Sequence, residues 1–218
     1  RSGMAFNLAE IVDPVVTDNL VFGLGGVGAI TFVVPAGEIA SCRFAICFHR
    51  AGLVTAGMDA SYFYTRYFER IEAVADFALA NFETFVQWAA EADAMIEGQA
   101  GLSAEQRFMM AHAIRSYYGS TELLESQGRL FWVVHEGEYR MMNTFDLTVD
   151  QLFFELRQNP WTVRNNLEWF VRRYSYRDQV RFPGKPELYP GGLSFCHDMG
   201  LANTISRPEH STYELFAL

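Results

Sequence analysis

Short β-branched and aromatic runs open the chain: Leu20-Val21-Phe22, then residues 29–34 and 41–49. Glycines between Gly23 and Gly28, and the stretch Pro35-Ala36-Gly37-Glu38, punctuate them. Runs of this type bounded by Gly and Pro predict strands joined by turns. Two or three antiparallel strands are too few to be stable alone. The first 50 residues are therefore expected to lean on other elements, or on strands preceding Arg1.

The period changes near Ala56-Gly57-Met58-Asp59. Across residues 60–97 the apolar positions Phe63, Tyr67, Ile71, Val74, Phe77 and Ala78 recur at helical spacing. Asp59 or Ser61 is the expected cap, and Gly98-Gln99-Ala100-Gly101 the stop. Ser103-Ala104-Glu105-Gln106 then forms a capping box for a second helix reaching about residue 126. A strand-like run over 130–134 follows, then the polar stretch 135–140. A helix over 144–158 is predicted with Phe145, Val149, Leu152, Phe153 and Leu156 on one face. Asn159-Pro160 ends it and starts another over 161–176, with Pro in the first turn. Residues 177–194 read as a long ordered loop, and 211–218 as the opening of one more helix.

Composition sharpens this picture. Of 218 residues, 50% are hydrophobic and 20% charged, which is ordinary for a globular chain. Aromatics reach 15%, with 19 Phe, 10 Tyr and 4 Trp. They supply core area or stacking platforms for sugar faces; burial statistics favour the core. Seventeen basic against 26 acidic residues give a net charge of −9, which argues against a nucleic-acid partner. Arg164, Arg172, Arg173 and Arg177 approach a basic stripe, but Glu168 and Asp178 interrupt it, so it reads as a solvated helix face. Three cysteines, Cys42, Cys47 and Cys196, lack disulfide parity and zinc spacing, which favours reduced thiols in a cytoplasmic protein. No apolar run approaches the roughly 20 residues of a membrane span. Arg1-Ser2-Gly3-Met4 lacks a signal-peptide core, leaving secretion to whatever lies upstream.

Two motifs fail on physical grounds. Gly23-Leu24-Gly25-Gly26-Val27-Gly28 matches a dinucleotide fingerprint, which needs a helix N-terminus directly after it. Thr31 to Val34 are β-branched or aromatic and Pro35 breaks them, so a glycine-rich hairpin is expected instead. His135-Glu136-Gly137-Glu138 holds one histidine where a zincin needs two, so no metal is expected.

The carboxylates are more informative. Glu136 stands just past an apolar run, flanked by Gly137 and followed by Arg140, Asn143 and Asp146. Glycoside hydrolysis uses two carboxyl groups, and a retaining enzyme sets them roughly 5–5.5 Å apart. A nearby Arg such as Arg140 favours the ionised nucleophile. By residue type alone, a Glu pair beside an Arg is more often surface decoration, and both readings stand.

A resemblance shifts the balance. The run WVVHEGEYRMMNTFDLTVD (132–150) resembles glycoside hydrolase family 52, the β-xylosidases. So do MDASYFYTR (58–66), FMMAHAIRSYYG (108–119), NPWTV (159–163), VRFPG (180–184) and SFCHDMG (194–200). The resemblance implies an α+β, mainly α fold: terminal strands of a β-sandwich (1–57), a linker helix (58–101) and the first part of an (α/α)6 barrel (102–218). It implies retaining hydrolysis of terminal β-xylosyl residues through a glycosyl-enzyme intermediate, without metal or organic cofactor. The Glu before Gly in the Glu-Gly-Glu-Tyr-Arg motif is the family nucleophile, here Glu136. More distant family 116 β-glucosidases share an Asn-Thr-aromatic-Asp stretch and a His-Asp pair. Their sugar-binding residues carry over to Asp146 and His197, with Asp198 and Arg140 as further substrate-binding candidates.

Family members are much longer, and their general acid is an Asp beyond the matched region. The expectation is therefore a segment inactive by itself, whose substrate is a β-xyloside or xylo-oligosaccharide. A homodimer is a further expectation for the full-length enzyme; nucleic acid and membrane are not expected partners. The alternatives are a non-catalytic sugar-binding or assembly module, and β-glucosidase specificity.

Overall fold

Gln127 and Gly128 both take left-handed backbone angles (φ 51° and 76°) in the computed structural model, which describes residues 31–211. Two consecutive positive φ values make a turn whose twist matches that of a hairpin. They fold the strand Thr121–Ser126 onto the strand Arg129–Glu136. The chain separates into two units, Arg1–Phe44 and Ala45–Leu218. In the first, described residues 31–44 hold a turn at Ala36-Gly37, closed by Glu38 N–H donating to Pro35 O at 3.1 Å.

The second unit mixes strands and helices. Its elements are β1 (Ser61–Tyr62), a 3-10 turn (Phe63–Arg66), α1 (Ile71–Ala80), α2 (Phe82–Glu97), α3 (Ala104–Gly119), β2 (Thr121–Ser126) and β3 (Arg129–Glu136). A second 3-10 turn (Gly137–Tyr139) leads to β4 (Met141–Met142), α4 (Phe145–Asp150), α5 (Leu152–Gln158) and α6 (Pro160–Arg173). Strands β5 (Ser175–Val180), β6 (Tyr189–Phe195), β7 (Gly200–Leu201) and β8 (Thr204–Ile205) complete it.

Six strands form one antiparallel sheet in the order β1-β2-β3-β4-β7-β8, and β5 pairs with β6 separately. The six-stranded sheet curls. Its far edge meets the segment before β1, where Ala56 N–H donates to Asn203 O and Ala56 O accepts from Ile205 N–H (3.0 and 2.8 Å). Val54 N–H donates to Ala60 O at 2.9 Å, tying that same segment to the start of β1. Gly57 makes the approach possible: a Cβ there would lie 2.0 Å from Ile205 O, and its φ is +81°. The core lies within this curl. Leu124, Phe131, Val133 and Met142 from the sheet pack on Phe170 and Tyr174 of α6 and its end, with Met199 and Ile205 closing the side.

The edge of β3 that β2 does not cover is satisfied group by group. Asn165 Oδ1 accepts from Trp132 N–H (2.8 Å), and Asn165 Nδ2 and Trp169 Nε1 both donate to Leu130 O (2.9 Å each). Asn143 takes over beyond that point. Its Oδ1 accepts from Val134 N–H at 2.7 Å, its Nδ2 donates to Trp132 O at 2.8 Å, and its N–H donates to Val134 O at 2.9 Å. Buried backbone groups left without partners cost as much as lost hydrogen bonds, so these side chains make a strand possible where no neighbouring strand runs.

Several expectations are corrected. The single helix over 60–97, capped by Asp59 or Ser61, does not form. Ser61 and Tyr62 pair with Glu125 and Leu124, and the helix starts at Ile71 behind Arg70. Tertiary ladder bonds override local periodicity here. Asn81 divides the remainder, its Nδ2 donating back to Phe77 O at 2.9 Å. The capping box at Ser103 and Gln106 is present, but that helix ends at Gly119 because the 127–128 turn draws residues 121–126 into a strand.

The helix over 144–158 breaks at Gln151, and its expected core face divides: Phe145 packs against the core, while Val149, Phe153 and Leu156 are exposed. Phe153 is 83% exposed, whereas Thr148 and Glu155 are buried. Pro160 is the first residue of α6, which ends at Arg173. Arg164 and Arg172 lie 2.9 and 4.0 Å from the shared Glu168 carboxylate, an exposed helix face.

The loop expected over 177–194 is largely the β5–β6 hairpin. Gly191 lets the strands close, since a Cβ would stand 2.9 Å from Asp178 O. Residues 31–34 and 41–49 form no strand, and the sheets among the described residues include neither run. The glycine-rich hairpin at 23–28, the run at 20–22 and the helix expected from 212 onward fall outside the described residues. Among the described residues, no helix is long and apolar enough to cross a membrane.

Candidate active site

Alternation along β3 sorts its side chains onto two faces. Phe131, Val133 and His135 point to the core side, while Trp132, Val134 and Glu136 point the other way. Glu136 ends the strand, paired with Met141, and is half-buried. Its carboxylate makes no hydrogen bond or ion pair with another described residue. Glu138 and Tyr139 follow on an exposed 3-10 turn.

That turn is tightly held. Gly137 and Arg140 both have positive φ (41° and 54°), and Arg140 N–H donates to Glu136 O at 2.9 Å. The carbonyl of Arg140 accepts from Ala202 N–H at 2.9 Å, and His135 Nδ1 lies 3.3 Å from it. The Arg140 side chain is exposed, and its positive charge acts on Glu122 and Tyr62. No ion pair between Arg140 and Glu136 forms among the described residues.

A second group assembles where α4 begins. Phe145 N–H donates to His197 O at 2.7 Å, bringing the residue before Asp146 against the His197-Asp198 corner. His197 Nδ1 lies 3.1 Å from Asp198 Oδ2, and its Nε2 lies 4.0 Å from Asp146 Oδ1. Asp198 is fully buried, its other oxygen accepting from Gly200 N–H at 2.9 Å. A buried carboxylate on one ring nitrogen fixes the imidazole's orientation. The Asp146 side chain is 69% exposed and that of His197 is 40% exposed, so solvent reaches both. Met199 N–H donates to Met142 O at 2.9 Å, so this corner and the end of β3 share the short strand β4. Tyr174 secures the region from beneath. Its hydroxyl faces the carbonyls of Met199 and Ser206 at 3.1 and 3.2 Å, and burial pushes its pKa up to about 12.

The fold thus brings Asp146, His197 and Asp198 into direct contact, and Arg140 and Glu136 onto one turn. Sequence reasoning missed Glu122, His135, Asn143 and Asn203. Asn143 and His135 lie inside the quoted 132–150 run, and strand alternation was the signal that would have placed His135 inward. Glu122 was read as helical and Asn203 drew no notice; nothing local marks either. Burial alone would raise the Glu122 carboxyl. Hydrogen bonds from His135 and Asn203, with the Arg140 charge, outweigh it and hold the group below the usual range. Among the described residues, no three His, Cys, Asp or Glu side chains group as a metal site.

The sequence matches glycosyl hydrolase family 52 along residues 1–218. The chain belongs to that family. It is 58% identical over its whole length to a Beta-xylosidase of Geobacillus stearothermophilus, covering 31% of that relative. A second Beta-xylosidase from the same organism is 56% identical over 190 residues, 87% of this chain and 30% of the relative. The chain therefore spans about a third of the length of the curated relatives it matches.

Proposed function

We propose that this family 52 chain is the nucleophile-bearing part of a retaining β-xylosidase. The observation that carries the reading is Glu136: a half-buried carboxylate without a partner among the described residues, at the end of a strand whose backbone is fixed hydrogen bond by hydrogen bond. A nucleophile must be ionised and unengaged, yet held still. In this reading a Glu136 oxygen attacks the anomeric carbon, the bond to the leaving oxygen breaks, and a glycosyl ester forms. A carboxylic acid supplied from outside this chain protonates the leaving oxygen. That same group, now a carboxylate, then takes a proton from the water that displaces Glu136. Asp146 and His197 engage sugar hydroxyls, with Asp198 holding the imidazole; contacts that strengthen in the transition state lower the barrier. Residues 1–57 are read as the C-terminal part of a β-sandwich domain, 58–101 as a linker and 102–218 as the first part of an (α/α)6 barrel. The match to Beta-xylosidases along the whole chain supports the substrate class.

The test uses the full-length enzyme that carries this segment. A 2-fluoro-xyloside inactivator should label Glu136, read by peptide mass spectrometry. Glu136→Gly should lower turnover of an aryl β-xyloside by at least about a thousandfold, with partial recovery when azide is supplied as an external nucleophile. Label on Glu138 would overturn the assignment. Faster turnover of the aryl β-glucoside would reassign the sugar.

A further inference from the structure

His135 and Glu122 form a close contact, a clamp directly behind the turn that carries Glu136. His135 is 9% exposed, and Glu122 is half-buried. The ring is held between two acceptors. On one side Nδ1 lies 3.3 Å from the Arg140 carbonyl oxygen; on the other, Nε2 lies 3.2 Å from Glu122 Oε1. The second Glu122 oxygen accepts from Asn203 Nδ2 at 2.9 Å. A carbonyl can only accept, so Nδ1 carries a proton. Nε2 faces the Glu122 carboxylate at ion-pair distance.

The clamp joins places far apart in sequence: β2 through Glu122, β3 through His135, the far end of the 136–140 turn through Arg140 O, and the β7–β8 turn through Asn203. Arg140 and Asn203 both sit at positive φ (54° and 64°), so the turns at both ends of the clamp hold conformations that non-glycine residues rarely take. His135 is the residue immediately before Glu136, and strand alternation sends the two side chains to opposite faces. Tilting the imidazole therefore tilts Glu136.

Resting on the reading of Glu136 as nucleophile, we infer that His135 and Glu122 are positioning residues which set the aim of Glu136 through the 135–140 backbone. They touch no substrate. Their role is to hold the turn against relaxation of its two left-handed residues.

The experiment is done on the full-length enzyme with an aryl β-xyloside, and kcat is expressed per active site titrated by the fluoro-xyloside. That correction removes any loss caused by misfolded protein. Glu122→Ala and His135→Ala should each lower kcat per titrated site by about 10- to 100-fold, the range for small misplacements of reacting groups, with KM within about threefold. Glu122→Gln accepts from or donates to the ring in either tautomer, and should recover kcat to within about threefold of the parent. A purely structural role would change the titrated fraction and the urea midpoint but leave kcat per site unchanged. That result overturns the inference, as does a Glu122→Gln variant no better than Glu122→Ala. Should the alanine variants not fold, His135→Asn, which keeps only the bond toward Arg140 O, and Glu122→Asp are judged by the same criteria. Glu136→Gly, with and without azide, separates the two levels. If it keeps parental turnover, the nucleophile reading fails. If it is inactive and rescued while Glu122→Ala has the parental kcat per site, only the clamp fails.

Discussion

Replacing Asn143 with alanine strips the edge of β3 at the point where it approaches Glu136. Asn143 is 2% exposed and holds two backbone groups of that strand, Val134 N–H at 2.7 Å and Trp132 C=O at 2.8 Å. Each backbone group left unsatisfied costs about 1–3 kcal/mol. Asn143 also sits at φ 49°, where asparagine is tolerated and alanine adds about 1–2 kcal/mol of strain. The sum is about 3–8 kcal/mol, a large share of the roughly 5–15 kcal/mol that holds a domain folded.

Asn143→Gly separates the two contributions, because glycine takes the left-handed angle freely but makes neither side-chain bond. It should recover about 1 kcal/mol relative to alanine. Asn143→Asp keeps the acceptor for Val134 N–H but sets an oxygen against Trp132 O, and should be at least as damaging as glycine. The assay is urea unfolding followed by tryptophan fluorescence, since Trp132 and Trp169 lie on the affected edge. An Asn143→Ala midpoint equivalent to less than about 1 kcal/mol, or a glycine variant less stable than alanine, would refute this account of how the strand is held.

Two further outcomes follow from the buried ionisable groups. Burial pushes the Cys196 thiol up to about 11, leaving on the order of one molecule in a thousand as thiolate at pH 8. Cys42 is exposed and Cys47 half-exposed, so an aromatic disulfide reagent should titrate them in the folded protein and reach Cys196 only after denaturation. Fast folded-state modification of Cys196 would refute its placement in the core. The Glu122 carboxyl is held below its ordinary 4.5 by bonds from His135 and Asn203. Its stabilisation is therefore fully present above that value and is lost as pH falls through the lower, folded value. The drop in urea midpoint between pH 7 and pH 3 should be smaller in Glu122→Gln than in the parent; equal drops would show that Glu122 is not ionised in the fold.

Local chemistry explains which parts of this protein were legible in one dimension. The Ser103–Gln106 capping box and Pro160 at the head of α6 are settled by bonds within a few residues, so the sequence alone determines them. The strands β1, β2 and β5 were invisible because their partners come from elsewhere in the chain or depend on a turn that periodicity does not weigh. Residues 121–126 carry no strand signal until Gln127 and Gly128 turn them onto β3. Only the tertiary structure decided that Phe153 faces outward while Glu155 is buried against Tyr117, 2.6 Å from its hydroxyl. The site divides in the same way. Asp146 and His197 are 51 positions apart in sequence, and what unites them is the backbone bond from Phe145 to His197. Glu122 and His135 meet because β2 pairs with β3, and Asn203 reaches them from the β7–β8 turn only in the folded sheet. A residue's identity is written along the chain, but an ion pair exists only once folding has removed the water between its members.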